Sequence, residues 1–209
     1  MESSHAAWRC PASLVAWAVE RIPTREPMCV TRMTIDLLRP VPIAPLEIRS
    51  EVVREGRKIQ LCAIQLLANG IEVVRASVLK IRAADLQLPG DIADEKIDLS
   101  APDQGRQTEG LIGTGNAFID GLSLRAVKGD FRQNGPGAVW FRAERPIVLG
   151  EAITPLMRAA MTADFCNGVS AIVDFNQWTF INADLSIHLA RMPVDRKSTR
   201  LNSSHRTGS

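Results

Sequence analysis

Residues 33–39 read Met-Thr-Ile-Asp-Leu-Leu-Arg, and residues 185–191 read Leu-Ser-Ile-His-Leu-Ala-Arg, 152 positions later. In both copies apolar residues alternate with polar ones, a pattern typical of a strand with one buried face. Each copy follows a segment that begins with a proline and reads as a helix, and a proline also follows each copy. The repeat therefore favours an internal duplication of a helix followed by a strand.

The first half of the chain predicts one helix and an antiparallel meander. The helix covers Pro11–Arg21, with proline at the first helical position and good helix formers after it. Beyond the repeat strand, alternating patterns predict strands over 46–54, 58–68 and 71–82. Asn69-Gly70 lies between the last two strands and is a strong hairpin signal, because both turn residues need positive φ. Helix and sheet each have an apolar face, so they are expected to pack together as an α+β unit.

The second half repeats this order less completely. Residues 85–112 collect proline, glycine and scattered charges and are interpreted as a linker. Thr154 and Pro155 have the N-cap and first-turn chemistry of a second helix, which is predicted to end near Asn167-Gly168. Strands are predicted over 117–127, 138–144, 171–175 and 179–190. The predicted units are residues 1–84 and 113–194.

The net charge of +2 comes from the end of the chain. Residues 195–209 hold four of the 25 basic and one of the 23 acidic residues. Residues 1–194 therefore carry 21 basic and 22 acidic residues. This balance argues against a nucleic-acid partner. Residues 195–209 contain one large apolar residue and are predicted to be a disordered tail foreign to this gene, after a truncated second unit.

The sequence also argues against a membrane protein and against a metal-binding protein. The sequence has no apolar run near the roughly 18 residues of a membrane span, and no basic flank of a secretory signal, so a cytoplasmic location is expected. Its four cysteines form no CxxC pair and have no histidine at zinc-ligand spacing. We therefore expect no metal, no cofactor and no membrane contact.

Five segments in order resemble one known family: residues 32–42, 140–150, 154–158, 163–168 and 180–189. They are similar to the tandem, or double, hotdog acyl-CoA thioesterases of the thioesterase II type. The resemblance implies an α+β hotdog fold with two tandem helix-wrapped antiparallel sheets, the second incomplete. It also implies hydrolysis of an acyl-CoA substrate to free acid and coenzyme A, and homo-oligomers formed through the hotdog sheets.

The resemblance also implies the catalytic residues. In the family an aspartate on the second helix, a threonine or serine, and a glutamine hold the attacking water. Asp164 matches the aspartate. Thr179 is the candidate for the threonine or serine. Alignment on His188 places Phe180, one residue later, at the position of the family's threonine. The amide of Asn182 is an equal alternative to Thr179. The glutamine lies on a later strand of the family, so no residue here is assigned to it.

Other candidates have simpler interpretations. His188 is equivalent to Asp36 on the polar face of the repeat strand, which favours a structural hydrogen bond. Cys166 adjoins the candidate site without a basic partner in sequence, so a nucleophilic role is disfavoured. Four aromatic residues are expected in the core: Trp140, Phe175, Trp178 and Phe180. Two alternatives to the hydrolase stay open, namely a non-catalytic acyl-CoA-binding or oligomerising module and an inactive fragment.

Overall fold

The computed structural model describes residues 10–84, 100–108, 121–129, 134–174, 177–178, 181–194 and 199–203. These residues form three α-helices, nine strands and one 3₁₀ turn. The helices are α1 Pro11–Glu20, α2 Pro155–Ala163 and α3 Cys166–Val169, and the 3₁₀ turn is Pro102–Gln104. The strands are β1 Met28–Leu37, β2 Leu46–Glu55, β3 Ile59–Ala68, β4 Ile71–Arg82, β5 Arg106–Gln107, β6 Leu122–Lys128, β7 Gly137–Ala143, β8 Asp184–His188 and β9 Thr199–Ser203.

Helix α1 is the centre of the first unit. Every residue from Ala12 to Val19 is buried. A helix that is apolar on all sides needs protein around its whole circumference, and α1 contacts β2, β3 and β4 as well as α2. The start at Pro11 confirms the predicted helix.

The first sheet has the order β2-β3-β4-β1-β8, and every neighbouring pair is antiparallel. Asn69 and Gly70 form the turn between β3 and β4 with φ of 50° and 76°, the left-handed values that the Asn-Gly pair predicts. Cys62, Ile64 and Leu66 alternate along β3 and are fully buried. Their shared face forms the core with α1.

The two copies of the sequence repeat pair with each other in this sheet. Strand β8 adds to β1 with Thr34 opposite Ser186, and these residues are 152 positions apart, as the two copies are. Met33 lies opposite Ile187, and Ile35 opposite Leu185. An antiparallel pairing centred on equivalent residues places a local two-fold axis between Thr34 and Ser186. The sheet therefore supports the duplication that the sequence predicts.

The second sheet has the order β5-β6-β7-β9 and packs against α2 and α3. Leu124 of β6 and Phe141 of β7 are buried beneath it, and the Phe141 and Phe165 ring centroids are 5.0 Å apart. Helices α1 and α2 also pack against each other. In this contact the buried Ser13 hydroxyl donates a hydrogen bond of 2.8 Å to the Met157 carbonyl. One continuous core thus joins both units.

The second half differs from the sequence prediction in three places. Helix α2 ends at Ala163, and α3 follows as a separate short helix rather than as one helix to Gly168. Residues 171–174 form no strand, because strand propensity yields a strand only where a neighbouring strand offers backbone partners. Of the predicted strand 179–190, the structure describes residues 181–190, and within these β8 covers Asp184–His188.

Two predicted irregular segments contain strands. Arg106–Gln107, inside the predicted linker 85–112, pairs with β6. Thr199–Ser203, inside the tail predicted to be disordered, pairs with β7, so that prediction is wrong for these five residues. An edge strand offers unpaired backbone N–H and C=O groups, and pairing with them requires little apolar surface. Composition alone therefore misjudged the segment.

Candidate active site

Asp164 lies at the point where α2 ends. It is the C-cap residue of α2 with φ −67° and ψ −14°, and Phe165 follows with φ −94° and ψ 5°. Phe165 N–H donates to the Thr162 carbonyl at 3.1 Å, an i to i−3 bond that tightens this last turn. The turn separates α2 from α3 and holds Asp164 in a partly buried position.

Asn182 holds Asp164 through two hydrogen bonds. The Asn182 Nδ2 donates to Asp164 Oδ1 at 2.7 Å and to the Asp164 backbone carbonyl at 3.0 Å. The second bond satisfies a carbonyl at the helix end, so Asn182 also acts as a C-terminal cap. The structure therefore brings together two of the three residues predicted for the site.

The contact depends on the central strand pair. Asn182 lies just before β8, and the Leu37 N–H of β1 donates to the Ala183 carbonyl at 2.8 Å. The pairing of β1 with β8 thus fixes the segment that carries Asn182 next to the end of α2. Thr179, the predicted hydroxyl, lies outside the described residues, and no glutamine is assigned.

The protonation equilibrium of Asp164 is shifted. Burial raises the pKa of the Asp164 carboxyl above its ordinary value, and the hydrogen bond from Asn182 partly offsets this by lowering it. A carboxylate with a raised pKa is a stronger base than an exposed one, and the hydrogen bond from Asn182 favours its ionised form. The site therefore holds a carboxylate suited to accept a proton.

Two thiols lie close to this carboxylate. Burial, and after it the charge of Asp164, raises the pKa of Cys10, the N-cap residue of α1, to about 12. Burial and then the Asp164 charge also raise the pKa of Cys166. Because nucleophilic cysteines need a lowered pKa, neither thiol is a candidate nucleophile.

Asp164 has a counterpart at the end of α1 that the sequence reasoning missed. Aligning the two helices in sequence at their first residues, Pro11 and Pro155, pairs Glu20 with Asp164. Glu20 accepts a hydrogen bond of 2.7 Å from the hydroxyl of Thr154, the N-cap of α2. The carboxylate at the end of α1 thus bonds the N-cap of α2, and the charge of Asp164 at the end of α2 acts on Cys10, the N-cap of α1. Aligning the two proline-started helices would have revealed this pair.

Glu20 lies in a more strongly charged setting than Asp164. Burial raises the pKa of Glu20, while the Thr154 hydrogen bond and the positive charges of Arg21 and Lys80 lower it. Lys80 is 4% exposed, and its ammonium donates to the Ile22 carbonyl at 2.8 Å. The Thr154 hydroxyl and the two nearby cations thus stabilise the ionised form of Glu20, whereas the Asn182 amide does so for Asp164.

Other predictions for side chains have mixed outcomes. Trp178 is 61% exposed and does not belong to the core, and Trp140 is half-buried, whereas Phe175 and Phe180 lie outside the described residues. Within the described part of the chain, no three or more histidine, cysteine or acidic side chains form a group that could hold a metal ion. In the same residues no helix is long and apolar enough to cross a membrane.

Antiparallel sheets packed on central helices, related by a local two-fold axis, define a tandem hotdog protein, and comparison with solved structures agrees. A hotdog-fold protein of unknown function from Alicyclobacillus acidocaldarius has a TM-score of 0.62 at 13% identity, over 87% of this chain and 66% of its own. A putative thioesterase II from Thermobifida fusca YX has a TM-score of 0.66 at 13% identity, over 97% and 74%. A putative thioesterase from Novosphingobium aromaticivorans has a TM-score of 0.64 at 16% identity, over 92% and 74%.

Family models assign the sequence to a narrower group of proteins than the fold alone does. The model described as "Acyl-CoA thioesterase N-terminal domain" matches residues 10–81, and "Acyl-CoA thioesterase C-terminal domain" matches residues 94–205. The chain therefore belongs to the acyl-CoA thioesterase family, and it has the α+β hotdog fold. The C-terminal match begins inside the segment predicted as linker. No match was found among curated proteins.

Proposed function

We propose that the protein hydrolyses an acyl-CoA thioester to free acid and coenzyme A by water attack assisted by Asp164. The observation that carries this proposal is the partly buried Asp164 carboxylate, which has a raised pKa and a fixed orientation on Asn182. Membership of the acyl-CoA thioesterase family supports the substrate class.

In the proposed step, Asp164 is the general base. Asn182 occupies Oδ1, so we assign the attacking water to Oδ2. As the water oxygen bonds to the thioester carbon, its proton passes to Oδ2, and the carbonyl oxygen gains negative charge. The tetrahedral intermediate collapses by breaking the C–S bond. The proton then passes from Asp164 to the departing thiolate, which restores the carboxylate.

Asn182 and Thr179 have supporting roles in this proposal. The two bonds from Asn182 fix the carboxylate relative to the helix end, which preserves the geometry of attack. The Thr179 hydroxyl would position the water without adding charge. Removing Asn182 should therefore weaken catalysis less than removing the Asp164 carboxylate.

The test measures free-thiol release from acyl-CoAs of several chain lengths. General-base catalysis contributes about 10²- to 10⁴-fold, so Asp164→Asn should lower kcat/KM by at least about 100-fold. Glu20→Gln is the matched control, because it neutralises the equivalent carboxylate of the other helix. Equal activity of the wild type and Asp164→Asn, with both proteins folded, would contradict the proposal.

A non-catalytic acyl-CoA-binding module is the second candidate. One observation favours it: the Asn182 amide caps the helix end, which is a structural role that needs no reaction. Calorimetry that detects acyl-CoA binding, together with thiol release at the background rate, would support this module over the hydrolase. A circular-dichroism melt without a cooperative transition would instead support the inactive fragment.

Self-association is a further part of the proposal. The first sheet exposes apolar side chains on β2 and β4, including Val53 at 57% and Ile81 at 41%. Pairing of such sheet faces would bury this surface, which supports the expected homo-oligomer. Sedimentation velocity on the wild type and on Val53→Lys tests it, and an unchanged monomer in both would exclude it.

A further inference from the structure

A cleft of about 230 Å³ lies on the second sheet, apart from the side chains of the candidate active site. Its lining comes from β6, β7 and the 3₁₀ turn: Pro102, Asp103, Ser123, Arg125, Trp140 and Arg142. Leu124 and Phe141, the neighbours of these side chains along β6 and β7, are buried in the core. Because side chains alternate along a strand, the lining residues of both strands are on the outer face.

The strand register sets the spacing of the charged and aromatic groups. Arg125 lies directly opposite Trp140, and Ser123 directly opposite Arg142. Opposed residues have Cβ atoms about 4.5–5.5 Å apart, and diagonal ones about 7–8 Å. Two guanidinium groups therefore flank one indole ring across two adjacent strands.

The 3₁₀ turn closes one side of the cleft and holds two of its residues. The Trp140 Nε1 donates to the Ser100 carbonyl at 3.0 Å, and Arg125 Nη1 donates to the Gly105 carbonyl at 3.4 Å. A Cβ on Gly105 would lie 3.0 Å from the Arg125 Cβ, so glycine allows the turn to approach β6 this closely. The walls of the cleft are thus held before any ligand arrives.

We propose that this cleft binds a nucleotide, that is, an aromatic base carrying phosphate groups. A guanidinium group offers five N–H donors in a fork that matches phosphate oxygens, and Arg125 engages the turn through only one long bond. Trp140 gives the cleft an aromatic wall against which a base can pack, and the Asp103 carboxylate can accept hydrogen bonds from ribose hydroxyls. Free nucleotides and the nucleotide end of coenzyme A share this chemistry. Only the coenzyme A assignment rests on the proposed function.

Calorimetry with adenosine 3′,5′-bisphosphate tests the site, with adenosine and inorganic phosphate as partial probes. The bisphosphate should bind at least about tenfold more tightly than either, because only it engages both kinds of group. Arg125→Gln should weaken binding about tenfold or more through the lost charge-assisted bonds. Trp140→Leu should weaken it similarly, while Trp140→Phe keeps a stacking face and should bind nearly as well as the wild type.

Arg49→Gln is the matched control for Arg142→Gln. Each arginine is exposed on a strand and donates its Nε to a glutamate two residues away, Glu47 at 2.7 Å and Glu144 at 2.8 Å. Only Arg142 lines the cleft, so only its substitution should weaken binding. Equal weakening by both substitutions, or no binding of the bisphosphate by folded wild-type protein at millimolar concentration, would overturn the proposal.

Competition identifies the source of the nucleotide. If a non-hydrolysable acyl-CoA analogue displaces the bisphosphate, and Arg125→Gln weakens the binding of both ligands, the cleft holds the nucleotide end of coenzyme A. If both ligands bind together, the cleft takes a free nucleotide. These measurements need no turnover, so absence of thioesterase activity would leave the test of the cleft intact.

Discussion

Replacing Asn182 by alanine tests how the site tunes its carboxylate. The change removes the Nδ2 that donates to Asp164 Oδ1 at 2.7 Å, a bond that lowers the pKa of Asp164 against the effect of burial. A hydrogen bond to a charged group contributes about 1.5–3 kcal/mol. Because part of this energy is specific to the ionised form, loss of the bond should lower the ionised fraction of Asp164 on the acid limb, and kcat/KM there with it.

The assay is the pH dependence of kcat/KM for the Asn182→Ala and wild-type proteins. The acid limb should move to higher pH in Asn182→Ala, because only the ionised carboxylate can take the proton from water. At pH values above this limb, the kcat/KM values of the two proteins should become nearly equal. Asn134→Ala removes an exposed asparagine and serves as the control. An acid limb at the same pH in Asn182→Ala and the wild type would refute this role of the amide.

Three further predictions concern stability. Burial raises the pKa of Asp164 above 3.8, so folding favours the acid form, and the resulting stabilisation is lost as pH rises through the folded pKa. Asp164→Asn should therefore raise the free energy of unfolding at pH 7 but not at pH 3, and a urea melt that showed loss at pH 7 would contradict this. Gly137→Ala should destabilise by about 1–3 kcal/mol, because its Cβ would lie 2.1 Å from the Val169 carbonyl oxygen; an unchanged thermal midpoint would exclude that clash. Ser13→Ala should cost about 0.5–1.5 kcal/mol by removing the hydroxyl that donates to the buried Met157 carbonyl, and chemical denaturation with no loss would show that the helix contact contributes little.

Local chemistry made the first unit predictable. The strand β4 has the predicted bounds Ile71–Arg82, and the Asn69-Gly70 turn has the predicted positive φ. Both depend on residues next to each other in sequence. The repeat at residues 33–39 also predicted correctly that two equivalent strands exist, because an alternating apolar face leaves a visible pattern.

The surroundings of Asp164 could be predicted only in part. The family resemblance selected Asp164 and Asn182, but their contact depends on the pairing of β8 with β1, which no local pattern shows. Cys10 is near Asp164 because α1 packs on α2 over a long sequence separation. The strand Thr199–Ser203 escaped prediction because backbone pairing with β7 decides it.

One isotope measurement tests most directly whether Asp164 activates water. In a single turnover in H₂¹⁸O, attack by water predicts that the released acid carries one ¹⁸O atom and that the peptide containing Asp164 stays unlabelled. Attack by the carboxylate itself would form an anhydride, whose hydrolysis at the aspartyl carbon would give unlabelled acid and ¹⁸O in the Asp164 peptide. Labelled acid from the wild type, with release from Asp164→Asn slowed at least about 100-fold, is the result we predict. Unlabelled acid with a labelled Asp164 peptide would contradict the proposed general base.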